Sequence, residues 1–176
     1  MYSTVPVGGL SLGFPAGSTA LEEFGLKFSP GGAHISRTMM LQELGAVLAN
    51  VPRHSVPSDY RETILQQNIL AKTTESTRQK SYRHLRELYG LDEEIPLFGL
   101  LRTLCAIDVA SLSVLAFQIA WARDPLLRAT TLPIMDASEN ECVETVSLAQ
   151  AVEATFPNHY SNHSRSDIAR NAASSI

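Results

Sequence analysis

Cysteine is nearly absent: the chain holds two, Cys105 within an apolar stretch and Cys142 in a polar, acidic one. Two isolated cysteines supply neither a disulfide framework nor the paired CxxC knuckles of a zinc site, so a reducing, cytoplasmic location is expected. Charge is also scarce and leans negative. With 14 Lys and Arg against 18 Asp and Glu, the formal net charge is −4. No global basic field therefore draws the molecule to nucleic acid or to an acidic membrane, and any nucleic-acid surface has to be local. Long hydrophobic runs are missing too. The longest, Val109 to Ala122, falls short of the roughly 20 residues of a spanning helix and is interrupted by Ser111, Ser113 and Gln118, so a buried core helix and no membrane association are expected. Met1 to Leu12 lacks a basic start and a small-residue cleavage site, which argues against a secretory signal.

What is present is the composition of a folded globule: 44% hydrophobic and 18% charged residues, too apolar for a disordered chain. The 176 residues suffice for one compact domain with or without a smaller appended one. Residues 1–33 are punctuated by Gly8-Gly9, Pro15, Gly17, Pro30 and Gly31-Gly32 and suggest an extended N-terminal arm with at most one short helix near Leu21 to Phe24. Residues 34–130 carry helical periodicity and form the expected main domain. Met40, Leu44, Val47, Leu48 and Val51 follow a cap at Ser36 and precede Pro52. A second helix starts near Ser58 or Asp59, where Asp59 and Glu62 suit a capping box, and carries Ile64, Leu65, Asn68 and Ile69 to about Lys72. Thr74 caps a third through Tyr89, with Gly90 placed for a left-handed stop. Pro96 opens a fourth to about Ile107, and Asp108 caps a fifth from Val109 to Trp121, both expected to be largely buried. Asp124-Pro125 starts a short sixth, broken at Thr130, Thr131 and Pro133, with a hinge or boundary near 130–140. Residues 131–176 read as a smaller C-terminal helical part. Ser147 caps Leu148 to Phe156, a polar turn follows, and a last helix begins near Ser164 or Ser166, in the manner of a helix-turn-helix or winged-helix remnant. That helix meets Ile176 with no terminating residue, so the natural protein is expected to continue.

Catalytic motifs are missing. No GxSxG or phosphate-cradling P-loop occurs, Cys105 sits in an apolar helix, and Asp92, Glu93 and Glu94 mark a connection, so a non-enzymatic protein without a cofactor is expected. His159 and His163 are four apart, with Cys142 as a conceivable third ligand, but the glutamate of HExxH is missing and surface histidines explain the pair better than a metal site. The helix from Glu75 to Tyr89 is the most informative segment. Its apolar stripe is Tyr82, Leu85, Leu88 and Tyr89, while Arg86, Arg83, Lys80 and His84 fall on the opposite arc, Arg78 at the edge and Lys72 just before. Arg and Lys on one face neutralise phosphates, and Ser76, Thr77, Ser81 and Tyr82 add hydroxyl donors. The pattern alone favours a solvated helix face kept for solubility over this reading. Arg165 and Arg170, with Ser164, Ser166 and Asn171, suggest a second contact on the last helix, against the alternative of an amphipathic helix packed through Ile168, Ala169 and Ala172.

The order of parts carries a resemblance. Phe28-Ser-Pro-Gly-Gly leads into Ser36 to Leu48, then Ile64, Leu65, Asn68, Ile69 and Leu70, then Lys72 with a Thr/Ser turn at 73–77 and Arg78 to Leu91. With Arg170-Asn171 and Ser174-Ser175 in the terminal region, this run resembles the BrxA family of the bacterial BREX phage-exclusion system. The resemblance implies a mostly α protein, a compact helical bundle similar to NusB-type RNA antitermination proteins, that serves phage defence as a DNA-binding accessory. Double-stranded DNA is then the expected partner, through Lys72, Arg78, Lys80, Arg83 and Arg86, with Arg165 and Arg170 as the second contact. RNA and other BREX proteins are the alternative partners.

Overall fold

The computed structural model describes residues 19–175; the segment before Thr19, with most of the expected arm, lies outside the described residues. Among those described the protein is helical, with no strand. The helices are α1 (Thr19–Phe24), α2 (Leu41–Asn50), α3 (Pro57–Leu65), α4 (Glu75–Tyr89), α5 (Pro96–Ile107), α6 (Leu112–Arg123), α7 (Pro125–Asp136), α8 (Thr145–Thr155) and α9 (Asn162–Ala173). Single 3-10 turns at Ala33–Ile35 and Val109–Ser111 precede α2 and α6. The mostly α expectation holds.

Local chemistry accounts for the ends that match expectation. Thr74 Oγ1 accepts from Thr77 N–H at the start of α4, and Gly90 ends it at φ +98°. Asp124 Oδ1 accepts from Leu126 and Leu127 N–H at the start of α7, where Pro125 needs no donor.

Long-range partners explain the ends that differ. The helix expected from Ser36 begins only at Leu41, after Met40 at φ +52°. Backbone groups of residues 34–39 are taken up elsewhere: His34 N–H by Asp124, Met39 N–H by Ser175 Oγ and Met39 C=O by the Tyr89 hydroxyl at 2.5 Å. In α3, Asp59 stands at the third position, accepting from Val56 N–H at 3.0 Å, and is not the cap. That helix stops at Leu65, because Asn68 and Ala71 turn left-handed and Asn68 Oδ1 accepts from Lys72 N–H. Asp108 caps a 3-10 turn, with α6 proper following from Leu112 to Arg123.

Thr130, Thr131 and Pro133 do not break α7, which runs to Asp136. Both threonine hydroxyls donate to carbonyls three residues back, and Thr131 Oγ1 also accepts from Trp121 Nε1 at 2.9 Å. Further on, α8 starts at Thr145 rather than beyond Ser147, and α9 at Asn162, where Ser161 Oγ accepts from Ser164 N–H.

The main core gathers Leu44, Tyr60, Ile64, Leu85, Leu88, Tyr89, Phe98 and Leu101, with the Tyr60 and Phe98 rings edge to face at 5.5 Å. Leu126, Ala129, Val152 and Ile168 form a second cluster where α8 and α9 pack on α7, while Leu127 and Ala172 reach the main core. Burial of α5 and α6 is less complete than expected. Ile107, Val109 and Val114 are 79%, 75% and 61% exposed, because the α5–α6 junction projects beyond the helices that cover the rest.

Three arginines that read as ordinary polar positions are buried. Arg102 donates to Val51 C=O at 2.8 Å and lies 3.3 Å from Glu93. Arg123 donates to the carbonyls of Gly25, Arg86 and Glu87, and Arg128 to those of Lys27, Trp121 and Ala122. The last turn of a helix leaves carbonyls without intrahelical donors and a partial negative charge, so Arg123 at the end of α4 and Arg128 at the end of α6 satisfy both. The same two side chains pin residues 25–27, whose Lys27 N–H also donates to Ala122 C=O.

Candidate nucleic-acid interface

Helix α4 positions the expected basic face, since its caps fix the register and Leu85, Leu88 and Tyr89 anchor the opposite side in the core. Lys80, Arg83 and Arg86 are exposed along it. At a rise of 1.5 Å per residue their spacing lays the three charges along about 9 Å of helix. Among the described residues no carboxylate pairs with any of them within 4 Å, and Arg86 lies over the Tyr82 ring at 5.9 Å. Arg78 is half-buried, its Nε enclosed without a hydrogen-bond partner. Ser76 is exposed, but Ser81 is buried and cannot meet a phosphate, which removes one expected hydroxyl.

His84 departs from the outer arc. It is buried at 6% exposure, where burial, and then the nearby charges of Arg83, Arg37 and Lys80, hold its pKa below the ordinary histidine value. Arg37, which sequence reasoning missed, is exposed and its charge acts on His84 and on Glu43. Its place in a loop far from α4 in sequence offered no periodicity by which to find it.

The other expected residues are engaged elsewhere. Lys72 Nζ lies 2.8 Å from Glu43 Oε1. Burial raises the Glu43 pKa, but Lys72 outweighs it and the carboxyl stays below its ordinary range. Arg165 folds back between α8 and α9 onto Glu153 and Asn162. Arg170 is exposed and pairs with Asp167 at 3.0 Å, one turn away. Because α9 is held by α7, α8 and the 3-10 turn at Ala33–Ile35, the structure does not gather these two arginines with the cations of α4.

Two further cations do join them. Lys27 donates to Glu87 C=O at 3.2 Å, and Lys27, Arg123, Arg83 and Arg86 line one cleft with Tyr82. Burial and then Arg123 push the Lys27 pKa down, and burial brings Arg123 down to about 10. Arg123 therefore remains cationic at neutral pH. Neither residue was legible, since each comes to α4 by tertiary packing alone.

A separate constellation is buried at the base of α7. Asp124 Oδ2 accepts from His34 N–H and from His34 Nδ1 at 2.8 Å, while His34 Nε2 lies 3.1 Å from Ser175 Oγ. An ionised carboxylate only accepts, so Nδ1 carries the proton. The order Ser, His, Asp matches that of a hydrolytic triad, but His34 and Asp124 are fully enclosed and Ser175 Oγ is already occupied by Met39 N–H and Asn171 C=O. The arrangement ties the 3-10 turn, α7 and the residues just after α9 together.

Among the described residues no group of three His, Cys, Asp or Glu side chains is placed to hold a metal ion. His159 packs on Tyr160, and His163 lies 3.4 Å from Asp167. No helix of the described residues is long and apolar enough to cross a membrane. Compared with family models, curated proteins and solved structures, the chain finds no match.

Proposed function

We propose that the protein binds nucleic acid, double-stranded DNA in the first place, through the outer face of α4, as a non-enzymatic accessory of the BREX type that the sequence resembles. One observation carries the reading: Lys80, Arg83 and Arg86 are exposed and aligned without carboxylate partners, in a protein whose formal net charge is −4. Charges kept only for solubility need no such segregation, whereas phosphate binding does. Arg37 and Arg78 extend the surface, and Lys72, Arg165 and Arg170 are secondary because each is paired.

Fluorescence anisotropy with labelled duplex DNA, duplex RNA and single strands, over a salt series, tests this. Three phosphate contacts give a slope of log K against log salt of about −3, and Lys80→Glu, Arg83→Glu and Arg86→Glu together abolish binding. Salt-insensitive binding, or binding retained by the triple variant, sinks the reading. Preference for duplex RNA would favour the NusB-like alternative.

A second reading, an interaction module for other defence proteins, draws support from the exposed apolar residues Ile107, Val109 and Val114 at the α5–α6 junction. Co-purification with BREX partners that Val109→Asp and Val114→Asp abolish, while no probe above binds, would establish it instead. The helix-turn-helix reading of α8 and α9 predicts that Arg170→Glu weakens duplex binding; an unchanged affinity removes that role.

A further inference from the structure

The cleft at the C-terminal end of α4 has a volume of 450 Å³, within the range of small-molecule sites. Its walls carry Lys27, Arg83, Arg86 and Arg123 against two carboxylates, Glu87 and Asp92. Neither acid neutralises the cations by contact. Asp92 accepts from Glu94 N–H, and Glu87 Oε2 stands 4.0 Å from His84 Nδ1. Capping the last carbonyls of α4 explains Lys27 and Arg123 but leaves unexplained why the exposed Arg83 and Arg86 converge on the same cleft. Lys27 and Arg123 are fixed in place by backbone carbonyls, so they form a floor that loses little side-chain entropy on binding, while Arg83 and Arg86 are exposed arms, Arg86 lying over the Tyr82 ring. Tyr82 adds an aromatic wall.

We infer that this cleft is a site for a phosphate monoester, the terminal phosphate of a nucleic-acid strand or of a free nucleotide. A monoester carries a charge of about −1.5 to −2 at neutral pH, more than the single charge of a backbone phosphodiester, and four converging cations match it better. The inference deepens the nucleic-acid reading and rests on it through Arg83 and Arg86, and it adds Lys27 and Arg123 together with a preference for chain ends.

The test titrates the full chain with inorganic phosphate, 5′-AMP and adenosine, followed by amide NMR shifts at Gly90 and by calorimetry. Phosphate and 5′-AMP are expected to bind near about 1 mM and adenosine not at all. Arg83→Gln and Arg86→Gln, both at exposed positions, each weaken phosphate roughly tenfold. Lys27→Met weakens phosphate binding as well, and its thermal melt reports whether the fold is kept.

Absence of binding up to about 50 mM phosphate, or affinity unaltered in the Arg83→Gln/Arg86→Gln pair, overturns the site. If duplex binding survives that outcome, the reading of α4 stands without the cleft. If phosphate binds as described while no duplex does, the cleft stands and the nucleic-acid reading falls. Tighter binding of a 5′-phosphorylated than of a 5′-hydroxyl oligonucleotide assigns the site to strand ends, and equal binding of the two alongside 5′-AMP assigns it to a free nucleotide.

Discussion

Asp124 accepts four hydrogen bonds, from the N–H groups of Leu126, Leu127 and His34 and from His34 Nδ1. Burial by itself would raise its pKa, yet the His34 hydrogen bond and charge, with the backbone donors, hold the carboxyl below its ordinary value. A depressed carboxyl contributes stability above its unfolded pKa, and that contribution is lost as pH falls through the folded value. Urea denaturation is therefore expected to show the wild type losing stability below about pH 4. Asp124→Ala should cost about 3–5 kcal/mol at pH 7, because it strands buried donors, and should flatten that acid dependence. A loss under about 1 kcal/mol would mean that the network is dispensable. Gly32 belongs to the same place, since a Cβ there would overlap the Asp124 carboxylate. His84 offers a readout of ligand binding. Its ring should titrate below the ordinary histidine value in the free protein and shift upward when duplex DNA offsets Arg83, Arg37 and Lys80, as two-dimensional NMR of the ring protons will show. An unshifted titration would place the phosphates elsewhere.

Helix α4 combines a strong local signal with tertiary reinforcement. Thr74→Ala removes the side-chain cap and is expected to cost about 1 kcal/mol. Gly90→Ala is expected to cost about 1–2 kcal/mol, since a side chain at φ +98° is strained and its Cβ would stand 3.1 Å from Ile95 Cδ1. Chemical denaturation of the two variants measures both. Charge reversal at Lys80 and Arg83 should leave the unfolding free energy within about 0.5 kcal/mol of wild type, because both side chains are exposed. The ends and inner face of α4 hold the fold, and its outer face carries the exposed charges on which the proposed binding rests.

At the scale of the whole molecule, the acidic balance and the local cation band act together. Salt would screen the net repulsion between an acidic protein and an acidic ligand while weakening the few local contacts, so the fall of affinity with salt should be no steeper than the slope of about −3 set by three phosphate contacts. The apolar α5–α6 junction contributes little to folding. Val109→Asp and Val114→Asp should each change the thermal midpoint by no more than about 2–4 °C, and a larger drop would show that this end is packed in solution.

Helical class, the caps at Thr74, Asp108 and Asp124, the Gly90 stop and the outer arc of Lys80, Arg83 and Arg86 were all determined by the sequence alone, because each depends on neighbours within a turn or two. What only the tertiary structure decided depends on partners remote along the chain. The start of α2 waits for Leu41 because Ser175 and Tyr89 claim the backbone N–H and C=O of Met39, and Thr131 inside α7 accepts from Trp121 Nε1 of α6. His84 turns inward, Lys72 and Arg165 are neutralised by Glu43 and Glu153, and Lys27 and Arg123 arrive at the end of α4 from distant positions. Periodicity specifies which way a side chain leaves its own helix, but whether a charge there remains free is settled by what packs opposite it.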